Sequence, residues 1–359
     1  MILKKAISII LFTTVCASFA SCEKTPKNKP VEVSLLDTKV SPYDVKLDWQ
    51  NAFETKLKEF KSSESFTDSS MFEITDLTAD GIPELIISPS DDVSAQCEIY
   101  RLFNDSVDQI GVTGAYGSID FLPSVNAIGY SYEGDDITIG EYLVYEEGSF
   151  NQAVSFYTNA NSASAGVTVE YEVNNNDVTL VKYEEMLHPY KDAVSLKTGR
   201  KYSFGDQAID YAVHCSETWD QVLTDQQKQL FSERLNAVVS EGELIEPAFE
   251  IVDLDLNGIP EVVVSTGLLN DSKTRIFYLD EEGIKELETG CDADGGIMFD
   301  MSSKIFYASD YYDSIQCWSL AGADISSFTP SDSFMRCGRR YILTEENINK
   351  VFADEVKNG

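Results

Sequence analysis

Residues 253–261 read Asp-Leu-Asp-Leu-Asn-Gly-Ile-Pro-Glu, with oxygen-bearing side chains at alternate positions followed by a glycine. One tight turn of this kind can aim several oxygens at a common point. A hard cation such as calcium takes about six to eight oxygens at about 2.3–2.6 Å, so it needs such clustering. Asp253, Asp255 and Asn257 would supply side-chain oxygens, Ile259 its carbonyl, and Glu261 a carboxylate acting directly or through water. Leu254 and Leu256 alternate with these and would anchor the loop in a core. Clustered oxygens can also be spent on backbone amides, as in Asx turns, so the spacing alone leaves both uses open.

The same sentence occurs earlier in the chain. Residues 72–88 read FEITDLTADGIPELIIS and residues 249–265 read FEIVDLDLNGIPEVVVS, identical at ten of seventeen positions with a constant shift of 177. Chance would give roughly one match in seventeen, so the segments are read as an internal duplication. In the first copy Asp76, Thr78, Asp80, Ile82 and Glu84 take the corresponding places. Threonine there replaces a carboxylate, so a weaker metal site is expected.

Both segments resemble the Asp-x-Asp-x-Asp-Gly loops of FG-GAP and VCBS-like extracellular repeats. They are still more similar to the DxDxDGxPEL segments of bacterial surface lipoproteins, a group mostly without assigned activity. The resemblance covers about thirteen residues per copy. It implies a calcium loop that joins adjacent structural elements, and a place outside the cytoplasm. An EF-hand is not matched: its twelfth position requires a glutamate, Val264 stands there, and a strand-like run follows.

The elements that must hold these loops can be read on either side of them. Residues 44–60 carry Trp49, Phe53, Leu57 and Phe60 at helical spacing, and residues 223–242 open with Thr224 and Gln227 at capping-box spacing. A third helix is expected over residues 342–356. Short aromatic and β-branched runs follow each loop and argue for antiparallel meanders. The Asn-rich stretch 174–176 reads as the turn of a hairpin, and residues 199–209 as a further strand and turn. The fold class expected is α+β: two similar lobes, each an N-terminal helix, an acidic loop and an antiparallel meander, with a C-terminal helix closing the chain. The lobes would span 41–218, with an insertion, and 219–359.

The N-terminus carries Lys4 and Lys5, a short apolar core and small residues up to Cys22. Residues 1–21 thus read as a secretory signal. Phe19-Ala-Ser-Cys22 resembles a lipobox, which implies lipidation of Cys22 and anchorage to the bacterial membrane through a flexible linker, residues 22–40. Ordinary cleavage near Ala20 would release a soluble protein instead. The net charge of −34 disfavours nucleic acid and anionic lipid headgroups as partners.

Catalytic sets are sparse. His188 and His214 lack neighbours that define a triad, and Lys197-Thr-Gly199 lacks the upstream Ser-x-x-Lys that would give it meaning. The expected function is a calcium-binding surface module that binds a glycan or a surface protein, with tyrosines such as Tyr130, Tyr132, Tyr307, Tyr311 and Tyr312 available to stack on sugars or to pair within the sheets. The alternative is a polysaccharide hydrolase with a carboxylate pair gathered by the fold. Five cysteines follow Cys22; Cys291 and Cys317 could meet on neighbouring strands, or the thiols could be buried singly.

Overall fold

Alternating apolar residues in the two duplicated segments make strands that are buried on both faces. In the computed structural model, β1 (Met71–Thr75) and β2 (Glu84–Ser88) form an antiparallel pair with every residue buried. Phe72, Ile74, Leu85 and Ile87 face one core, and Ile86, with Leu77 and Ile99, faces another. This is the period-two pattern of a strand covered on both sides. The structure describes residues 35–36, 48–134, 136–163, 166–214, 222–241, 244–255, 257–267, 273–290, 296–309, 315–320, 325 and 328–352, all within one compact unit, Leu35–Gly359. The expected signal peptide, Cys22 and nearly all of the linker lie outside them.

Helix α1 (Trp49–Lys61) precedes β1 and buries Trp49, Phe53, Leu57 and Phe60. After β2 come β3 (Cys97–Phe103) and β4 (Ser106–Thr113), then β5 (Ile119–Leu122), β6 (Ala127–Glu133) and β7 (Ile137–Glu146). Next are β8 (Ser149–Ala163), β9 (Gly166–Val173), β10 (Asn176–Asp177) and helix α2 (Leu180–Lys191). Strands β11 (Leu196–Thr198) and β12 (Tyr202–Ser203) lead to helix α3 (Asp206–His214).

The second half opens with helix α4 (Asp225–Ser240), where Thr224 and Gln227 form the expected capping box. It continues through β13 (Ala248–Val252), β14 (Glu261–Ser265), β15 (Thr274–Asp280) and β16 (Gly283–Thr289). Strands β17 (Ile297–Asp300), β18 (Ile305–Ser309), β19 (Ile315–Trp318), β20 (Phe334–Cys337) and β21 (Tyr341–Ile342) precede helix α5 (Glu345–Phe352).

Five helices and antiparallel sheets make the described residues an α+β fold. The sheets run β19-β18-β17-β20-β12-β1-β2-β3-β4, β10-β9-β8-β7-β6-β5-β11 and β16-β15-β14-β13-β21. The nine-stranded sheet therefore takes strands from both sides of residue 219, joined where Tyr202 pairs with Met335.

The registers repeat far beyond the two loops. Phe72 pairs with Ile87 as Phe249 pairs with Val264, and Phe72 pairs with Tyr202 as Phe249 pairs with Tyr341. Ile119 pairs with Thr198 as Ile297 pairs with Cys337. No strand of the second half answers β8, β9 or β10 among the described residues.

Two sequence expectations change. The turn at Asn174 and Asn175 forms, both with positive φ, but its second arm ends after two residues. Thr179 then accepts a hydrogen bond from the Lys182 amide and starts α2, which buries Tyr183 and Leu187 four residues apart. Capping and helical spacing outweigh the β-branched look of Val178 to Val181. Likewise Asp206–His214 is a helix, held by the buried Ala208, Ile209, Tyr211, Ala212 and Val213. Cys97 and Cys337 are buried free thiols and Cys317 is also free; Cys291 lies outside the described residues.

Candidate metal centre

Each acidic loop bridges two adjacent strands, β1 to β2 and β13 to β14, whose every residue is buried, so its ends are fixed by the core. In the second loop Asp253 is 3 % exposed, and its carboxylate accepts the amides of Asn257 at 3.0 Å and Gly258 at 2.7 Å. Glu261 accepts the Leu254 amide at 2.7 Å. Asp255 accepts from the amide of Asn257 at 3.1 Å and from its side-chain nitrogen at 2.8 Å. The Asp253 amide donates to the Tyr211 hydroxyl at 2.9 Å, tying the loop to α3. Gly258 has φ +88, where a side chain would be strained although the space is open.

These bonds draw three carboxylates together. Ligand atoms from Asp253, Asp255 and Glu261 all lie within 4.8 Å of one another, a set that could hold a metal ion. Among the described residues no lysine or arginine side chain forms an ion pair with any of the three. Burial, with Asp255 nearby, pushes the Asp253 carboxyl up to about 7. Glu261 is raised well above its ordinary value, by burial first and then by Asp255. A cation among these oxygens would reverse that preference by favouring the charged forms. Lys304 reaches the loop from the turn before β18, but donates to the Asp255 carbonyl rather than to a carboxylate.

The first loop has the same backbone wiring. The Asp76 carboxylate accepts the amides of Asp80 and Gly81, and Glu84 accepts the Leu77 amide at 2.8 Å. Gly81 has φ +84. Its electrostatics differ. Arg101 on β3 pairs with Asp80, lies 3.5 Å from Glu84 and donates to the Thr78 hydroxyl at 3.3 Å. A guanidinium thus stands among the oxygens that would face a metal. The position 177 residues on is Tyr278. Burial acts to raise Asp80, yet the Arg101 hydrogen bond and charge outweigh it and hold the carboxyl below its ordinary value. At the fully buried Glu84 burial wins, and its pKa rises to about 8 despite Arg101.

Of the five residues expected at each loop, Asp253, Asp255 and Glu261 of the second come together as one carboxylate cluster, the only such cluster among the described residues. Ile82 is 43 % exposed and donates its amide to Asp80 at 3.0 Å; the Ile259 amide donates to Asn257 at 2.7 Å. Arg101 was not legible as part of the site from the loop motif. Its signal is a lone arginine in the strand after the loop whose carboxylates stand at 76, 80 and 84, at a place where the other copy has tyrosine.

Of the tyrosines noted as possible sugar platforms, Tyr307 is buried and packs on Phe328 with ring centroids 5.2 Å apart. Tyr130 and Tyr132 are half-buried, and Tyr132 pairs with Tyr116 at 6.0 Å. Tyr311 and Tyr312 lie outside the described residues. The two histidines pair one helical turn away, His188 with Asp192 at 2.7 Å and His214 with Asp210 at 3.7 Å. No helix among the described residues is long and apolar enough to cross a membrane. No family model, curated protein or solved structure matches the chain.

Proposed function

We propose that this chain is a calcium-binding, extracytoplasmic module, anchored by lipid at Cys22, that binds a glycan or a surface protein without turning it over. The observation that carries the metal reading is the Asp253, Asp255 and Glu261 cluster. Two of its three members are buried, and buried carboxylates this close repel one another unless protons or a cation intervene. The donors are oxygens only, with no histidine or cysteine in the cluster, which suits a hard cation. Asn257 would turn its amide oxygen inward, and the Ile259 carbonyl would complete a five-residue set.

In this reading the ion is structural. It neutralises the loop that fixes β13 against β14 and, through Tyr211, against α3. The first loop needs no ion because Arg101 serves in its place. We further read the chain as two copies of one unit, each a helix, a loop, a five-stranded sheet and a second sheet, with β8 to α2 inserted in the first copy. The matching registers support this.

The hydrolase alternative asks for two carboxylates in a cleft away from the loops. A cleft does hold Glu73 and Glu250, but each accepts a backbone amide, from Gly199 and Gly338, and Glu250 is also ion-paired with Lys201. Both carboxylates are thereby committed to holding the backbone, which favours the binder.

Thermal unfolding of the mature protein with calcium and then with chelator tests the proposal. The midpoint should rise with calcium, because an ion that binds only the folded state stabilises it by mass action. No rise at about 1 mM calcium, the weak end of extracellular sites, would overturn it.

A further inference from the structure

The sheet β10-β9-β8-β7-β6-β5-β11 is covered unequally on its two faces. On one face Ala127, Tyr142, Val154 and Phe156 pack against Tyr183 and Leu187 of α2. The other face is covered at one end, where Ile128, Leu143 and Phe150 meet Ile99 and Ile110 of the nine-stranded sheet. Further along the same strands, Tyr132 lies beside Ile139 and Ile139 beside Tyr157. Tyr130 with Glu141, and Ile137 with Asn159, form the rows on either side. Residues two apart on a strand share a face, so these rows continue the face of Ile128 and Leu143. Glu172 and Glu170 extend it onto β9, opposite Tyr157 and Asn159. Ile137 and Ile139 are each 41 % exposed, and Tyr116, which packs on Tyr132 at the rim, is 46 % exposed.

This face belongs to the part of the chain that the second half does not answer. Helix α2 follows β8, β9 and β10 and covers the opposite side of their sheet, while the aromatic rows stay open. Its charge is one-sided as well. Residues 102–181 hold twelve acidic side chains and no lysine, arginine or histidine, although the chain has 27 lysines and arginines in all. The acids are no denser here than elsewhere; what differs is that no basic residue of the segment answers them. Glu141 accepts the Thr113 hydroxyl at 2.9 Å, and Glu133, Glu170 and Glu172 form no ion pair among the described residues.

We propose that this face docks an arginine- and lysine-rich segment of a partner protein. Tyrosine rings attract guanidinium and ammonium groups over their faces. Ile137 and Ile139 offer apolar surface to the aliphatic stems of such side chains, whose charged ends then reach Glu133, Glu170 and Glu172. An open sheet face suits a macromolecule, whereas sites for small molecules are concave. A neutral glycan could stack on the same rings, but a face with acids and no local base favours a cation. The inference names the partner within the binder reading and rests on it. The face lies on a different sheet from the metal centre and does not depend on an ion there.

The test is fluorescence anisotropy of labelled oligoarginine, cello-oligosaccharide and chitosan oligosaccharide with the mature protein. At about 0.15 M salt the Debye length is about 8 Å, so the general acidity of the chain contributes little. Oligoarginine should bind saturably and more tightly than either sugar. Tyr132→Ser and Tyr157→Ser should each weaken it about 2- to 5-fold, the worth of an exposed cation–π contact. Glu170→Gln with Glu172→Gln should weaken it further. Glu59→Gln with Glu64→Gln removes the same charge from exposed positions in and after α1 and should bind as the unsubstituted protein does. Unchanged melting midpoints show that the variants fold. The proposal is overturned if oligoarginine does not bind, or if the variants of the face bind as the α1 variant does. Tyrosine-dependent binding of a sugar in place of oligoarginine would also overturn it, but would leave the binder reading standing. Binding of none of the three would count against both.

Discussion

The loops at 76–84 and 253–261 share a backbone path and differ in what balances their acids. In the first, Arg101 sits between Asp80 and Glu84; in the second, three carboxylates converge and the corresponding strand position is Tyr278. One loop carries its cation in the chain, and the other gathers three carboxylates that could hold one from solution. The shared bend does not depend on that difference, because the amide bonds to Asp76 and Asp253 define it in both loops.

The largest effect is expected from Arg101→Tyr, which gives the first loop the residue of the second. Removing one partner of a largely buried ion pair costs about 3–5 kcal/mol, with the lower end expected because Asp80 is partly exposed. Urea unfolding without metal measures the loss. Calcium should then restore part of it, and calorimetry should count two sites in place of one. A single site in both proteins would break the comparison.

Asp253→Ala should cost about 1–3 kcal/mol, since the amides of Asn257 and Gly258 lose their acceptor. It should also abolish the calcium-dependent rise in melting midpoint. Asp76→Ala should reduce stability by a similar mechanism while leaving that rise intact.

The pH response separates the loops further. Asp253 is raised to about 7 and Glu84 to about 8, both above a carboxyl in the unfolded chain. The folded protein then holds these protons more tightly, so their contribution to metal-free stability is fully present below the unfolded value and is lost as pH rises through the folded one. The loss from Asp253 runs from about pH 4 to about 7 and levels off beyond it. Calcium competes with the protons at Asp253 and Glu261, so its affinity should climb through about pH 7 and go on rising for as long as Glu261 holds its proton. Proton release on calcium addition, followed in a weakly buffered solution, checks this. Asp253→Asn should remove the Asp253 share of the slope and leave those of Glu261 and Glu84.

The smallest effect tests the shared backbone. Gly81→Ala and Gly258→Ala both force a side chain into left-handed backbone with open space around it. Each should cost about 1–2 kcal/mol, and the two costs should agree. A large inequality would show that the loops bend for different reasons.

What the chain disclosed in advance follows from how local each signal is. The helices at Trp49 and Asp225 were legible because their apolar spacing and capping box act within a few residues. The loops were legible because ligand spacing and the glycine are contiguous. Helix α2 was hidden by β-branched residues around its cap, and α3 by the glycine and turn-like residues before it. Arg101 was hidden for another reason: it approaches Thr78 from a neighbouring strand, and strand register decides that contact. The cavity between the crossovers at 197–202 and 336–341 is non-local in the same sense. Its two segments lie 139 residues apart and meet only because Tyr202 pairs with Met335.

That junction has a direction. In the repeated registers β12 answers to β21 and β20 to β11, so the seam joins unlike edges rather than a strand to its own counterpart. A contact between unlike edges does not close on itself as a two-fold interface does. Among the described residues the mates, β11 and β21, end their sheets, so the same grammar would admit a further unit at either without a new kind of joint.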